Sequence, residues 1–372
     1  MNPRTDVIAE VDLRALRHNI IVIQDYIHPA GIIGVVKANA YGHGCIPVAK
    51  VLVEEGVDLL AVVAVEEAIQ LRGAGVQMPV LLMGKVWDHH LPQVFEYNLQ
   101  PIVASAEDYE RFATFARRER KQMQVHLKID TGMGRMGVLY DEYSEIFWKI
   151  TQDSSLQLVG IMSHFASAEN PNGLAPVQAE RFRRIYDEIS NELQDDKPVF
   201  HLANSAAMLY MDGQLYDRVR LGLSLYGLTP AELRPAPVRL QPVMSLKSFI
   251  TYVKVFPTDF PIGYGSTYTT RKDSTIAICS GGYEDGIPRR YGNTGEVLIH
   301  GKRFPVVGNV SMDTFMVDVG QEPVDIGDEV VIFGRQGDEF ISIWEMANKL
   351  QVIPYEVICG ISQRVTREYV VI

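Results

Sequence analysis

The 372-residue sequence has few cysteines, no long apolar run and no excess of basic residues. Its three cysteines, Cys45, Cys279 and Cys359, lie far apart and form neither a CxxC spacing nor a disulfide framework, which indicates a reducing compartment. No apolar run approaches the roughly 18 residues that a membrane-spanning helix needs. Met1–Glu10 contains charges and no apolar core of a signal peptide. A formal net charge of -11 argues against a nucleic-acid or anionic-membrane surface. We expect a cytoplasmic protein that binds neither nucleic acid nor membrane.

Short apolar runs alternate with amphipathic stretches over the first part of the chain. The apolar runs are Ile32–Lys37, Leu59–Ala64, Val80–Met83, Leu99–Ser105, Gln124–Asp130, Leu158–His164, Val199–Asn204 and Val219–Leu225. The helix-like stretches are Pro47–Glu55, Val65–Gly73, Ala106–Lys121, Tyr140–Thr151 and Pro176–Leu193. This alternation is typical of a parallel sheet that is buried on both faces. Eight strands favour a closed (β/α)8 barrel over an open sheet, which the sequence leaves possible.

The pattern changes after a proline-rich stretch, Thr229–Pro242. Beyond it, only Ser342–Leu350 is predicted to be helical. The β-rich runs are Met244–Phe256, Thr275–Cys279, Glu296–Ile299, Thr314–Val319 and Glu329–Phe333. At roughly 150 residues per domain, the length also favours two domains. The sequence therefore predicts an α/β barrel over residues 1–235, followed by a mostly antiparallel β domain over residues 236–372.

Polar side chains follow several of the predicted barrel strands at their carboxyl ends, where barrel enzymes carry their catalytic residues. These positions hold Lys37, Asp130, His164, His201 and Arg220. A lysine that is partly desolvated by apolar neighbours becomes a Schiff-base nucleophile. A guanidinium within an apolar run requires an anion or a set of acceptors. A barrel metal hydrolase is the alternative, but it needs a His-x-His pair or carboxylates after the first strand, where this sequence has Lys-Ala-Asn.

An ordered series of segments in both predicted domains resembles the alanine racemase family. Val35–Gly44, with the sequence VVKANAYGHG, is similar to the segment to which these enzymes attach pyridoxal phosphate. The other matching segments are Lys128–Gly137, Ser163–Ala168, Asn204–Ala207, Val219–Gly222, Gly263–Tyr268, Gly282–Gly286, Ser311–Asp313, Pro354–Glu356 and Arg364–Val365. The family fold is a (β/α)8 barrel followed by a β-rich domain, which agrees with the segment pattern.

The resemblance implies that pyridoxal 5'-phosphate is the cofactor and that Lys37 holds it covalently. The residues that it assigns to the cofactor are Lys37, Tyr41, Arg135, His164, Asn204, Ser205, Arg220, Gly222 and Tyr355. Arg135 and Met312 are assigned to the substrate. The resemblance also implies a homodimer with shared active sites, in which Tyr264 and Met312 come from the partner's β domain. Lys128 matches a lysine that can be carbamylated in relatives.

The implied reaction interconverts L-alanine and D-alanine by a two-base 1,1-proton transfer and supplies D-alanine for peptidoglycan. Lys37 and Tyr264 would act as bases on opposite faces of the bound substrate. Arg220 would donate to the pyridine nitrogen, and a guanidinium with a pKa above ~12 leaves that nitrogen largely unprotonated. Because a phenol ordinarily has a pKa of ~10, a tyrosine base needs help from cationic neighbours. The resemblance supplies that help through His164, which would bridge Arg220 and Tyr264.

The substrate range stays open because the sequence departs from the family pattern. Many relatives have Arg where Asn309 stands, Asp where Glu169 stands, and Cys or Thr where Ser311 stands. The first two positions lie around the entrance in relatives, so a serine or broad-specificity racemase is the closest alternative.

Two further alternatives use related barrels. Decarboxylases of basic amino acids and of diaminopimelate share the two-domain plan, but they place an acidic residue at the pyridine nitrogen and lack the segment that is Gly263-Tyr264-Gly265 here. Arg220 and Tyr264 therefore argue against them. A pyridoxal-phosphate carrier protein is a single barrel and leaves the predicted β domain unexplained.

Overall fold

The chain divides into two units in the computed structural model, which describes residues 7–170, 172–193, 197–231 and 236–371. The barrel unit comprises Leu16–Ala40 and Cys45–Gln241. The β unit comprises the described residues up to Ala15, the short stretch Tyr41–Gly44, and the described residues from Pro242 onward. The first strand, β1 (Val7–Asp12), therefore belongs to the β unit.

Parallel strands form the barrel unit. In chain order they are β2 (Gly31–Val35), β3 (Leu59–Val62), β4 (Val80–Leu82), β5 (Leu99–Val103), β6 (Met123–Asp130), β7 (Val138–Leu139), β8 (Leu156–Met162), β9 (Val199–His201) and β10 (Arg218–Leu221). The short strand β7 pairs with β6 alone, and the others follow the order β10-β2-β3-β4-β5-β6-β8-β9. The parallel bridge between Asn204 and Arg220, with a 3.0 Å bond from the Arg220 N–H to the Ala203 carbonyl, joins the two ends. The predicted barrel is thereby confirmed.

Amphipathic helices alternate with these strands. They span Leu13–Ile27, Cys45–Glu54, Val65–Gly73, Leu91–Glu96, Ala106–Glu119, Tyr143–Gln152, Ala175–Leu193 and Ser205–Tyr210. Every residue of β3, β4 and β5 is buried, as expected for strands that are covered by helices on one face and packed in a barrel core on the other. Within the described residues, no helix is long and apolar enough to cross a membrane.

The β unit contains a long, mostly antiparallel sheet. Its further strands are β11 (Met244–Phe256), β12 (Pro261–Ile262), β13 (Tyr268–Thr269), β14 (Ser274–Ser280), β15 (Glu296–Ile299), β16 (Lys302–Val307), β17 (Thr314–Gly320), β18 (Glu329–Gln336), β19 (Glu339–Ile341) and β20 (Thr366–Val370). The sheet order is β19-β18-β15-β16-β17-β14-β11-β1-β20, with β12 and β13 forming a separate pair. Within this sheet, β1 and β20 are the only parallel neighbours among the described pairs. The predicted antiparallel β architecture is confirmed.

Several elements, among them β16, β20 and the helices Leu13–Ile27 and Leu91–Glu96, were not among the predicted segments. Three further local differences have a physical reason. The strand β1 was not predicted, because it alternates buried with half-buried residues and so lacks the continuous apolar run of the predicted strands. A second helix, Pro354–Cys359, follows Ile343–Leu350, and its single turn and a half is too short to show helical periodicity. The first barrel strand ends at Val35 and not at Lys37, because the backbone turns left-handed just after the lysine.

Candidate active site

Arg220 lies buried near the carboxyl end of β10, with 3% of its surface exposed. Its Nη1 donates to the carbonyl of His201 (2.6 Å) and to Nδ1 of the same residue (2.9 Å). Its Nη2 donates to Nδ1 of His164 (3.1 Å), to the carbonyl of Leu202 (2.9 Å) and to the carbonyl of Ser163. None of these acceptors is a carboxylate. Burial lowers the pKa of Arg220 to about 9, so the guanidinium remains a cation at neutral pH.

The Nε–H group of this guanidinium makes no hydrogen bond to a described residue. All the bonds above start from Nη1 and Nη2, and no described residue accepts a hydrogen bond from Nε of Arg220. An arginine has no lone pair to offer, so it can meet a ligand only as a donor. The Nε–H group is therefore suited to a ligand atom that accepts a hydrogen bond, such as a ring nitrogen.

The histidine beside Arg220 is held neutral. Burial, together with the positive charge of Arg220 and of nearby lysines, keeps the pKa of His164 well below its ordinary value. Because Arg220 donates to Nδ1 of His164, the single ring proton resides on Nε2. His164 therefore offers one N–H donor on the side of the ring that does not face Arg220.

A second buried amine lies among these cations. Lys128 is buried in β6, and its burial and the positive charges of Arg220 and Arg135 lower its pKa to about 7. The negative charge of Asp130 opposes this shift without cancelling it. At neutral pH, Lys128 is thus divided between the ammonium and the uncharged amine.

Lys37 opens a left-handed turn after β2. The next three residues have φ angles of 52°, 54° and 53°, in a region that costs about 1–2 kcal/mol per non-glycine residue. Two side chains hold the turn: Glu67 accepts from the Ala38 N–H (2.6 Å), and Asn39 Oδ1 accepts from the Cys45 N–H (2.8 Å). Strain of this kind is typical of functional sites, where the surrounding structure fixes one reactive side chain. The turn fixes the backbone from which the partly buried Lys37 extends.

Two short helical segments begin side by side near Ser205. The Ser205 hydroxyl accepts from the N–H groups of Gly222 (3.2 Å) and Ser224 (3.3 Å), just where the 3-10 helix Leu223–Tyr226 starts. Asn204 caps the other helix by accepting from the Ala207 N–H at 2.9 Å. The Ser224 hydroxyl is fully buried and has no hydrogen-bond partner among the described residues. Backbone donors and hydroxyls at helix starts are a typical phosphate cradle.

Asp130 fixes the loop that carries Arg135. Its carboxylate accepts from the N–H groups of Gly132, Met133, Gly134 and Arg135 at 2.7–3.1 Å. Burial alone would raise the pKa of Asp130, but these four donors outweigh it and hold the pKa below its ordinary value. The glycine-rich segment is therefore an anchored loop, and the Arg135 side chain is exposed at its end.

In the β unit, Tyr264 and Met312 are strongly exposed, at 72% and 50%. The amide of Asn309 donates to the Tyr264 carbonyl at 2.7 Å, and Gly263 and Gly265 on either side have φ angles of 70° and 73°. Asn309, one of the departures from the family pattern, thus holds the backbone of the predicted base.

Close packing and ion pairs fix the backbone of the loop around Met312. A Cβ atom on Gly282 would lie 2.2 Å from the carbonyl oxygens of Ser311 and Met312, so only glycine fits there. Arg364 donates to both carboxylate oxygens of Asp285 (2.7 and 2.9 Å) and to Asp313 (2.7 Å). These contacts fix the backbone of the loop while leaving the Met312 side chain exposed.

The two tyrosines that the resemblance assigns to the cofactor, Tyr41 and Tyr355, both lie in the β unit. The rings of Tyr41 and Tyr355 have centroids 5.9 Å apart and an angle of 46° between their planes. Burial raises the pKa of Tyr41, which keeps its phenol protonated and able to donate.

The structure thus joins predicted residues in several small groups. Arg220 bonds His164, Ser205 bonds Gly222, and the Tyr41 ring packs against the Tyr355 ring. Sequence reasoning missed His126, although it precedes Lys128 and Asp130 by two and four residues and so faces the same side of β6. In the described part of the chain, no group of three or more His, Cys, Asp or Glu is arranged to hold a metal ion.

The donor set of the barrel unit fits pyridoxal 5'-phosphate. Lys37 supplies an amine on a fixed backbone, and Arg220 supplies an unused Nε–H for a ring nitrogen. Ser205 and the adjacent N–H groups form a cradle for a phosphate, beside a buried hydroxyl without a partner.

Known proteins resemble the chain over nearly its whole length. The family model described as alanine racemase, N-terminal domain, matches residues 11–230, and that of the alanine racemase C-terminal domain matches residues 243–369. The alanine racemase of Halothermothrix orenii is 41% identical over 364 residues, which cover 97% of this chain and 96% of that protein.

Solved structures give the same result. The alanine racemase of Bacillus anthracis with bound L-Ala-P has a TM-score of 0.91 and 35% identity, covering 100% of this chain and 96% of that one. The alanine racemase of Bartonella henselae with covalently bound pyridoxal phosphate has a TM-score of 0.88 and 27% identity, covering 99% of this chain and 100% of that one.

Proposed function

The chain belongs to the alanine racemase family, and we propose that it interconverts L-alanine and D-alanine with pyridoxal 5'-phosphate as its cofactor. The observation that carries the proposal is the buried guanidinium of Arg220, whose unused Nε–H lies in the same barrel unit as Lys37 and the Ser205 cradle. A cation at this position separates a racemase from the decarboxylases considered above, which use an acidic residue there.

Several residues of this chain would hold the cofactor. Lys37 would bind it covalently, and Ser205 with the Gly222 N–H would bind its phosphate, together with Tyr41 and Tyr355. When bound, the cofactor delocalises the electron pair that is left at Cα of the amino acid after deprotonation. Arg220 would donate to the ring nitrogen without surrendering a proton, because its pKa of about 9 keeps it charged at neutral pH.

The proton transfers require a base on each face of the substrate. We assign one face to Lys37 and the other to Tyr264. His164 carries its proton on Nε2 and would donate it as a hydrogen bond to the phenolate of Tyr264, while its Nδ1 accepts from Arg220. Arg135, at the end of its anchored loop, and Met312 would bind the substrate carboxylate.

The exposure of Tyr264 supports a shared site. A tyrosine base needs cationic neighbours, and this exposed tyrosine would obtain them against the barrel of a second protomer. We therefore propose a homodimer in which Tyr264 and Met312 of one subunit complete the site of the other. We also propose that the D-alanine serves peptidoglycan synthesis.

A mixed-dimer experiment tests the shared site. Lys37→Ala and Tyr264→Phe should each be inactive alone, but unfolding and refolding them together should restore about a quarter of the wild-type activity, because half of the dimers are mixed and each has one intact site. If each site lies within one subunit, the mixture stays inactive.

The reaction itself is tested with the purified protein and added pyridoxal phosphate. L-alanine and L-serine are incubated separately, the D-isomers are measured by chiral chromatography, and released CO2 is measured in parallel. D-alanine as the main product supports the proposal. D-serine or a broad mixture favours the alternative of a serine or broad-specificity racemase, which the departures at Asn309 and Glu169 leave open. CO2 release, or no D-isomer at all, contradicts racemisation of these substrates.

A further inference from the structure

A row of hydrogen-bonded side chains extends from Arg220 through the barrel interior. We call it the relay, and its members are His201, His126, Gln100, Gln124 and Gln157. The bonds are 2.9 Å from Arg220 Nη1 to His201 Nδ1, 3.0 Å between His201 Nε2 and His126 Nδ1, and 3.0 Å between His126 Nε2 and Gln100 Oε1. They continue with 2.8 Å from Gln100 Nε2 to Gln124 Oε1, and 3.1 Å from Gln124 Nε2 to Gln157 Oε1.

The relay runs from the carboxyl end of the barrel to the amino end. Gln100, Gln124 and Gln157 are each the second residue of their strand. His201 and His126 are buried, at 0% and 2% exposure, and Gln157 is exposed to solvent. None of the members is acidic, so the relay brings no counter-charge to the buried guanidinium.

The direction of every bond in the relay follows from Arg220. Because the guanidinium can only donate, Nδ1 of His201 accepts and its proton lies on Nε2. That proton is donated to Nδ1 of His126, whose own proton then lies on Nε2 and is donated to Gln100. The amides beyond continue in the same sense. The relay cannot reverse, because reversal would require Arg220 to accept a hydrogen bond.

Both histidines are neutral, so the relay acts through oriented dipoles. Burial lowers the pKa of His126 to about 3, and burial with the charge of Arg220 keeps the pKa of His201 well below its ordinary value. Hydrogen bonds that are aligned in one direction strengthen one another in a medium of low dielectric constant. Each aligned group therefore stabilises the positive charge at its end.

Gly160 provides the space that the relay needs. It lies opposite His126 in the pairing of β6 with β8. A Cβ atom there would lie 2.1 Å from Nδ1 of the His126 ring and 2.5 Å from its Cε1. The φ angle of Gly160 is not in the left-handed region, so this glycine is required by space and not by backbone conformation. Any larger residue would displace the ring from His201.

We propose that Gln100 and His126 are positioning residues for Arg220: they hold the His201 ring, whose tautomer Arg220 dictates, in place, and thereby fix the orientation in which Arg220 presents its Nε–H to the cofactor. The inference rests on the proposed function, since the cofactor ring is the acceptor for this donor. Neither Gln100 nor His126 belongs to the catalytic residues assigned above.

The tautomers are measurable without any turnover. Long-range 1H–15N correlation spectra of the 15N-histidine-labelled holoenzyme distinguish protonated from unprotonated ring nitrogens. We expect His201 and His126 both to be neutral, with the proton on Nε2. A proton on Nδ1 of either ring, or an imidazolium, would overturn the proposal.

Variants test whether the relay affects the reaction. Gln100→Leu removes the acceptor for His126, and we expect kcat for alanine to fall roughly fivefold, with KM little changed and a shifted absorption maximum of the bound cofactor. Gln100→Glu keeps an acceptor for Nε2 of His126 and should retain the wild-type tautomers, although it removes the donor to Gln124 and adds a negative charge. Gln122→Leu is the matched control, because Gln122 donates to the Ser154 and Leu156 carbonyls outside the relay. It should behave as the wild type.

A second pair of variants tests the contact between Gly160 and the ring of His126. Gly160→Ala should displace His126 and lower kcat at least as much as Gln100→Leu, whereas Gly73→Ala, with nothing within 4 Å of its added methyl group, should not. Wild-type kcat, spectrum and tautomers in both Gln100→Leu and Gly160→Ala would overturn the proposal. If these two fail to fold, the proton position on His126 in the wild type still decides it, because only a proton on Nε2 can be donated to Gln100 Oε1. A wild-type protein that is inactive contradicts the proposed function alone, because the tautomers are read independently of turnover.

Discussion

Lys128 is expected to react with carbon dioxide. Its pKa of about 7, against an ordinary 10.5, results from burial and the charges of Arg220 and Arg135. At pH 8 this leaves roughly nine-tenths of the amine uncharged, compared with less than about one per cent for an ordinary lysine. An uncharged amine adds to CO2 and releases a proton, giving a carbamate. The same two guanidiniums that disfavour the ammonium would stabilise this anion.

The assay is 13C NMR of the protein equilibrated with 13C-labelled bicarbonate. We expect a carbamate resonance in the wild type that disappears in Lys128→Met and persists in Lys121→Met, which removes an exposed lysine. The reasoning is refuted if the signal is absent, if it survives Lys128→Met, or if a titration of Lys128 gives a pKa near 10.5.

The lowered pKa of Lys128 also makes the free energy of unfolding depend on pH when CO2 is excluded. Between about pH 7 and 10.5 the unfolded chain binds more protons at Lys128 than the folded protein does. The contribution of Lys128 to the free energy of unfolding is therefore least favourable below pH 7 and rises by about 1.4 kcal/mol per pH unit through this window. The difference between wild type and Lys128→Met, measured by urea unfolding, should change with that slope.

Three further predictions follow from the site. Asp130→Asn removes the charge that binds four backbone N–H groups and should lower the free energy of unfolding by about 1–3 kcal/mol at neutral pH. Folding lowers the pKa of Asp130, so the stability advantage of the wild type should disappear as the pH falls through that pKa. Urea unfolding of both proteins at several pH values measures this difference. Arg364→Met leaves the buried carboxylate of Asp285 without its cation and should lower the thermal unfolding temperature, and Asp285→Asn in the same chain should restore part of that loss. Equal losses in the single and double variants would contradict the pairing. Tyr264→Phe should lower the rate of racemisation by about 100-fold or more while the absorbance of the bound cofactor is retained. Tyr252 is an exposed tyrosine of the same unit, and Tyr252→Phe should have wild-type activity. Near-normal rates in both directions for Tyr264→Phe would show that Tyr264 is not a base.

The barrel could be predicted from the sequence because the alternation of strand-length apolar runs with amphipathic stretches recurs along the first part of the chain. Apolar runs of strand length alternate with helical periodicity, and each run corresponds to an observed strand. The strand β1 carries a weaker signal, since it packs one face only and pairs with strands more than two hundred residues away, in β11 and β20. A pattern within a short window contains no information on such a partner.

The sequence proposes residues for the site but contains no information on their geometry. The left-handed backbone after Lys37 has no signature in residue type, because its φ angles belong to two alanines and an asparagine. His126 was missed because a buried histidine in an apolar strand resembles ordinary core packing until Gly160 and Gln100 are seen around it. The partners of Arg220 are mostly backbone carbonyls, which every sequence contains.

Racemisation is tested most directly by following pure L-alanine and pure D-alanine in separate reactions of the holoenzyme in D2O. Because enantiomers have equal free energy, both reactions should converge on the same equal mixture, with deuterium at Cα of each product, and Lys37→Ala should form neither product. Consumption of L-alanine without D-alanine, or a final composition that differs between the two reactions, would contradict a two-base racemase built on Lys37 and Tyr264.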